Sequence, residues 1–175
     1  MNKSTLYGLK IIFILIIQIL VLNGLNLHGT VQPYVYPLIL IMLPVGMMSW
    51  MVLTIAFFVG LMVDFDLNSG ALHAATLVLL GFLRPLIFTI FLRTTKNLEK
   101  DTTPSIAFMG IGVYWRYALV MLAIHHVGLF LIEPYAFQEP FTLLLRIIFS
   151  LAISFSLLML IDISINSLEG KRKPI

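Results

Sequence analysis

The chain is 175 residues long, 60% apolar and only 11% charged, where a soluble domain carries about 25% charged residues. Its mean hydropathy is +1.03, and no Asp, Glu, Lys or Arg occurs from residue 11 to residue 63. An ordinary water-facing surface is excluded, and the length suits one compact bundle without a second soluble domain. Cysteine is absent, which excludes a disulfide framework and a thiolate metal site. The net charge of +3 does not mark a nucleic-acid face, because the basic residues are scattered among apolar segments and their flanks. They read as topology determinants.

Lys3 and Lys10 precede an apolar run over residues 11–22, in the manner of a signal peptide. No small-x-small cleavage site follows and more hydrophobic sequence does, so the run reads as a retained first span. Crossing about 30 Å of hydrocarbon takes about 20 helical residues. Residues 6–25, 71–92, 105–132 and 141–163 meet that length directly. Residues 34–65 contain no obvious polar loop, and as one helix they would be about 48 Å long. They are expected to form two short antiparallel spans, 34–47 and 49–65, joined near Pro44 and Gly46, where the helical ladder breaks and a tight turn is possible. Gly110 and Gly112 read as a close helix contact within the fifth span more than as a boundary.

Charge placement favours six spans over five. With six, Lys3, Lys10, Arg93, Lys96, Lys100, Lys171, Arg172 and Lys173 share the cytoplasmic side, and Asp66, Glu133 and Glu139 lie in the outer connections. Five spans would put the basic clusters on opposite faces. A closed barrel would need alternating strands that the sequence lacks. The expectation is an all-α integral membrane protein: a single six-helix transmembrane bundle over residues 1–165, a short basic tail over 166–175, and both termini in the cytoplasm.

Several polar residues interrupt the spans. Arg84 and Arg116 lie near the middle of the fourth and fifth, and Arg146 lies about two turns from the outer end of the sixth. An intramembrane arginine costs roughly 2.5–3.5 kcal/mol unless it finds a partner or reaches the headgroups. Each is either a structural tether or a contact to a ligand or partner. Pro85 follows Arg84 and leaves the Gly81 carbonyl without its helical donor, so a kink or polar pocket is expected at that depth. Asp64 lies one turn beyond Gly60, which places a small residue and a carboxylate on one face. It either marks the span end, before the turn residues Asp66, Asn68, Ser69 and Gly70, or accepts hydrogen bonds from a neighbouring helix. His73 reads as packing or as a cross-bundle hydrogen bond. His125 and His126 point about 100° apart on a helix and, with Glu133, make only a weak zinc pattern. Asp162 lies near the inner end of the last span, within reach of basic flanks. No His-Glu-x-x-His, nucleophile elbow, phosphate loop or paired-acid metal motif is present, so neither an enzyme nor a bound cofactor is expected.

From residue 37 to residue 85 the chain resembles the rod shape-determining protein MreD family. The resemblance is carried by Pro37-Leu-Ile-Leu, Gly60-Leu-Met-Val-Asp64, Gly70-Ala-Leu-His73-Ala and Arg84-Pro85, in that order on matching spans. Length, the short acidic connection and the basic tail extend it over nearly the whole chain. The turn near Met47–Trp50 departs from the usual pattern in being short and uncharged.

The resemblance implies a non-catalytic scaffold or regulator of the cell-wall elongation machinery in the bacterial cytoplasmic membrane. Its partners would be an MreC-type membrane-anchored protein and, directly or through the assembly, MreB, RodA and a transpeptidase, within the lipid bilayer and without nucleic acid. Pro37, Gly60, Asp64, Gly70, His73, Arg84, Pro85, Arg116 and Arg146 are the candidate structural or partner-contact residues. The family fold looks like the substrate-binding subunits of energy-coupling-factor transporters. That likeness supplies the alternative, a vitamin-type small-molecule binding subunit, which would need polar side chains converging on an outward-opening pocket.

Overall fold

The computed structural model describes residues 3–25, 31–92, 102–133 and 139–170. The basic residues at 93–100 and 171–173 lie outside the described residues. In chain order the elements are α1 (Lys3–Ile17), which widens into a π-helical turn over Gln18–Leu22, then α2 (Leu38–Met42), α3 (Ser49–Leu67), α4 (Leu72–Leu92), α5 (Ile106–Met109), α6 (Ile111–Ile132) and α7 (Pro140–Gly170). The described residues form no sheet. Four helices are long and apolar enough to cross a membrane: Ser49–Leu67, Leu72–Phe91, Ile111–Ile132 and Pro140–Ser164, with Tyr7–Leu22 as a shorter apolar helix. The chain is a multi-pass membrane protein.

The bundle has two ends, one marked by Asp64 and the other by Pro44. α1 starts beside Leu43, where Tyr7 and Lys10 share a small crevice with it. It finishes at the Asp64 end, where the Asn23 amide donates to Asp66 at 2.7 Å. The segment 31–47 then returns to the Pro44 end, where the Val45 N–H donates to the Thr102 carbonyl at 2.9 Å. α3 runs up, α4 down, α6 up and α7 down. The largest interface is α3 with α4, followed by α4 with α6 and α6 with α7. Phe57, Phe58, Phe82, Leu86, Phe141 and Phe149 lie on the outside, where hydrocarbon is their natural solvent.

Three sequence expectations are corrected. The second span, expected as a helix over 34–47, is helical only over Leu38–Met42, whereas the span expected over 49–65 is the 19-residue helix α3. Pro33, Pro37 and Pro44 explain the first point, since each disfavours helical geometry in the residue before it. The fifth span is divided at Gly110, whose φ of +74° is left-handed. A Cβ at Gly110 or Gly112 would meet nothing within 4 Å, so Gly110 is a boundary and neither glycine marks a close contact. Arg116 consequently lies in the second turn of α6, exposed, with its Nε donating to the Gly112 carbonyl at 2.9 Å. It is positioned to extend toward an interface, not to sit at mid-depth.

The second pass is the most constrained part of the fold. From Pro33 to Leu43 every residue is buried, and an extended backbone inside an apolar bundle has no helical ladder to satisfy it. Proline removes the N–H at two of these positions, 33 and 37. Elsewhere side chains from both ends of the chain supply acceptors. Ser150 Oγ accepts the Gln32 N–H at 3.1 Å and Ser154 Oγ accepts the Tyr34 N–H at 2.8 Å. Gln18 Oε1 accepts both the Val35 N–H at 2.7 Å and the Tyr36 N–H at 3.3 Å, while its Nε2 donates to the Pro33 carbonyl at 3.2 Å. Each buried group left unpaired would cost about 1–3 kcal/mol. Gln18→Leu orphans three at once. It is expected to lower the thermal midpoint and folded yield in detergent far more than Ser156→Ala, which removes an exposed hydroxyl bonded only to its own helix. Equal behaviour of the two variants in fluorescence-detected gel filtration would contradict this role for Gln18.

Candidate functional site

The Gly60-x-x-x-Asp64 pattern is a single packing and capping device. A Cβ on Gly60 would stand 2.4 Å from the Ala74 Cα and 2.8 Å from the His73 carbonyl oxygen, so α4 approaches α3 there to backbone contact. One turn on, the Asp64 carboxylate accepts the His73 N–H at 3.0 Å, the Ala74 N–H at 2.8 Å and the Ser69 hydroxyl at 2.5 Å. It thereby fills the first-turn donors of α4, which no helical carbonyl can reach. The connecting turn has Asn68, Gly70 and Ala71 at φ of 51°, 64° and 71°. Gly70 takes this geometry freely, whereas Ala71 carries the left-handed penalty of about 1–2 kcal/mol.

Arg84 does at the Pro44 end what Asp64 does at its own. Its guanidinium donates to the Leu43 carbonyl, reaches the Pro44 carbonyl at 3.3 and 3.4 Å, and lies 4.4 Å over the Phe88 ring. These are the carbonyls that follow α2, so the arginine closes the second pass. α4 continues through Pro85, which is exposed while the adjacent Arg84 is buried. The polar pocket expected near this pair is therefore built from another segment's carbonyls and not from that of Gly81. Pro37 is the buried residue immediately before α2. Arg146 pairs with Glu133 at 2.9 Å and lies 4.8 Å over Phe130. Asp162 is fully buried on α7 beside Tyr114.

Between these ends lies a seam of tyrosines and histidines. The Tyr36 hydroxyl is 2.7 Å from His73 Nδ1 and 2.5 Å from His125 Nε2. His126 Nδ1 lies 2.9 Å from the Leu122 carbonyl, and its Nε2 lies 3.1 Å from Ser154 Oγ. A carbonyl only accepts, so His126 carries hydrogen on Nδ1. Its Nε2 then accepts the Ser154 hydroxyl, whose oxygen accepts the Tyr34 N–H. Tyr34 packs edge-on against His73 with centroids 5.1 Å apart. The divergence of adjacent histidines on α6 sends His125 to the second pass and His126 to α7. Among the described residues no three His, Asp or Glu side chains converge as a metal-ligating group.

Above the seam, at the Asp64 end, is an open cleft of about 400 Å³. Gln32, Tyr34, Ser69, His73 and Glu133 supply its polar wall, and leucines supply the rest. Of the candidate residues only His73 lines it. Asp64 and Arg146 lie behind its wall through Ser69 and Glu133, while Arg84 and Arg116 are not among its lining residues. Gln18, Ser150 and Ser154 were not singled out in the sequence. The readable signals were a lone glutamine in the run 11–22 and two serines four residues apart on one helical face.

Two of the packed glycines, Gly60 and Gly81, make opposite expectations. Gly60→Ala should destabilise by about 1–3 kcal/mol, because backbone must move to admit the methyl group. Gly81→Ala should be neutral or stabilising by up to about 1 kcal/mol, since its Cβ would meet only side-chain atoms at 3.5 Å. Asp64→Asn should retain more folded protein than Asp64→Leu, which leaves two N–H groups uncapped. Thermal unfolding in detergent reads all four, and equal midpoints for the two glycine variants would contradict the close approach at Gly60.

Comparison of the chain with protein-family models, curated proteins and solved structures finds no match.

Proposed function

We propose that this protein is a non-catalytic scaffold or regulator of the bacterial cell-wall elongation complex, of the MreD type, in the cytoplasmic membrane. In this reading the chain crosses six times with both termini in the cytoplasm, the second crossing being the buried pass. The partners are an MreC-type protein and, directly or through it, MreB, RodA and a transpeptidase. The observation that supports the reading most is the destination of the ionic groups on the helices. Asp64 and Arg84 bond to the bundle's own backbone, and Arg146 bonds to Glu133. These groups stiffen one body and leave its long apolar faces for partner helices, as a membrane scaffold requires.

One observation favours the second reading, a small-molecule binding subunit of a vitamin-type transporter. The cleft of about 400 Å³ falls within the usual range for ligand sites. Affinity purification from native membranes in mild detergent separates the two. The scaffold reading expects an MreC-type protein and wall synthases to be retained, and depletion to change cell width. Retention of an ATPase module instead, with cell shape unchanged, would overturn it.

A further inference from the structure

The cleft at the Asp64 end has a floor whose chemistry follows from hydrogen-bond accounting. Tyr36 has one hydroxyl hydrogen and two histidine nitrogens to serve, His73 Nδ1 and His125 Nε2. His125 Nδ1 is buried without a partner. If Tyr36 donated to His125, that orphan would be an N–H, and buried orphan N–H groups are rarer than buried orphan acceptors. The favoured arrangement has His125 Nε2–H donating to Tyr36 and Tyr36 donating to His73 Nδ1. His73 then carries its hydrogen on Nε2, the ring nitrogen left for the cleft.

The remaining wall is mixed in polarity and balanced in charge. The Tyr34 hydroxyl donates to Gln32 Oε1, which leaves the Gln32 amide N–H groups as donors and the Tyr34 oxygen as an acceptor. The Ser69 hydroxyl donates to Asp64, so its oxygen also accepts. Glu133, the one carboxylate among the described residues of the wall, is held by Arg146 at 2.9 Å. The wall thus offers both donors and acceptors, and among the described lining residues no ion lacks a counter-charge.

We propose that this cleft is a binding site for a small uncharged molecule bearing amide or hydroxyl groups, which accepts from His73 and donates to Tyr34 or Ser69. The site rests on the small-molecule reading of the cleft and does not require transport. Loss of the wall-synthesis partners would leave it standing, and its failure would leave the scaffold standing.

The test uses the full chain, labelled with ¹⁵N-histidine, in lipid nanodiscs. His73→Gln assigns the His73 ring signals, and their ¹⁵N shifts report which nitrogen holds hydrogen. N-acetylglycinamide and glucose serve as uncharged probes, with acetate and ethanolamine as charged ones. The expected result is hydrogen on His73 Nε2 and a saturable shift of its signals with at least one uncharged probe. Leu72→Trp, which fills the cleft without removing a polar group, is expected to weaken that response about tenfold. It also carries the test if His73→Gln does not fold. No saturable response to either uncharged probe, tighter response to a charged one, an unchanged response in Leu72→Trp, or hydrogen on His73 Nδ1 overturns the proposal.

Discussion

A stretch of backbone that is neither helical nor in contact with water must have its peptide groups satisfied by side chains, and the second pass imposes that requirement on the whole bundle. Its N–H groups from Gln32 to Tyr36 end on Ser150, Ser154 and Gln18, and the carbonyls after α2 end on Arg84. Those acceptors and donors come from the π-helical end of α1, from α4 and from α7. The pass is thus a central pin, and helices that contact each other little are still fixed through it. α7 packs mainly on α6, yet its two serines tie it to the middle of the molecule.

The two buried ionic side chains of α3 and α4 share one function at opposite ends. Asp64 completes the first turn of α4, and Arg84, on the same helix, holds the two carbonyls that follow α2. A helix N-terminus favours a carboxylate, and free backbone carbonyls beyond a helix end favour a guanidinium donor. This is why ionic groups at this depth do not by themselves mark a ligand site. The cleft is a consequence of the same construction. Capping by Asp64 brings His73 beneath the surface, and Tyr36 holds one of its nitrogens, so the floor of the cleft is set by the second pass as well.

Much of this was legible in the sequence, for local reasons. Span lengths and the Gly60–Asp64 spacing depend on residues within a turn or two of each other, and periodicity reads those directly. The second pass was not legible in the same way. Hydropathy registers that residues 34–43 are apolar, but not that the backbone before Leu38 is non-helical, because the groups that satisfy it lie at positions 18, 150 and 154. Pro33, Pro37 and Pro44 were the local hint, and their joint effect is stronger than the boundary role given to Pro44 alone. Arg84 was correctly placed inside the bundle, but its acceptors are 40 residues upstream. The depth of Arg116 was misjudged because the break at Gly110 is a backbone feature. For His125 and His126 the sequence shows that they diverge, and only the packing of the second pass between α6 and α7 gives each a partner.

Labelling the native chain from within the bilayer tests the buried second pass most directly. A membrane-partitioned diazirine, photolysed in proteoliposomes and read by peptide mass spectrometry, marks side chains that face hydrocarbon. Adducts are expected on Phe58, Phe82, Leu86 and Phe149, which are exposed, and none on Leu38–Met42, which is buried on all sides. Adducts on Leu38, Ile41 and Met42, at the spacing of a helix facing lipid, would contradict a central pass and with it the roles of Gln18, Ser150, Ser154 and Arg84.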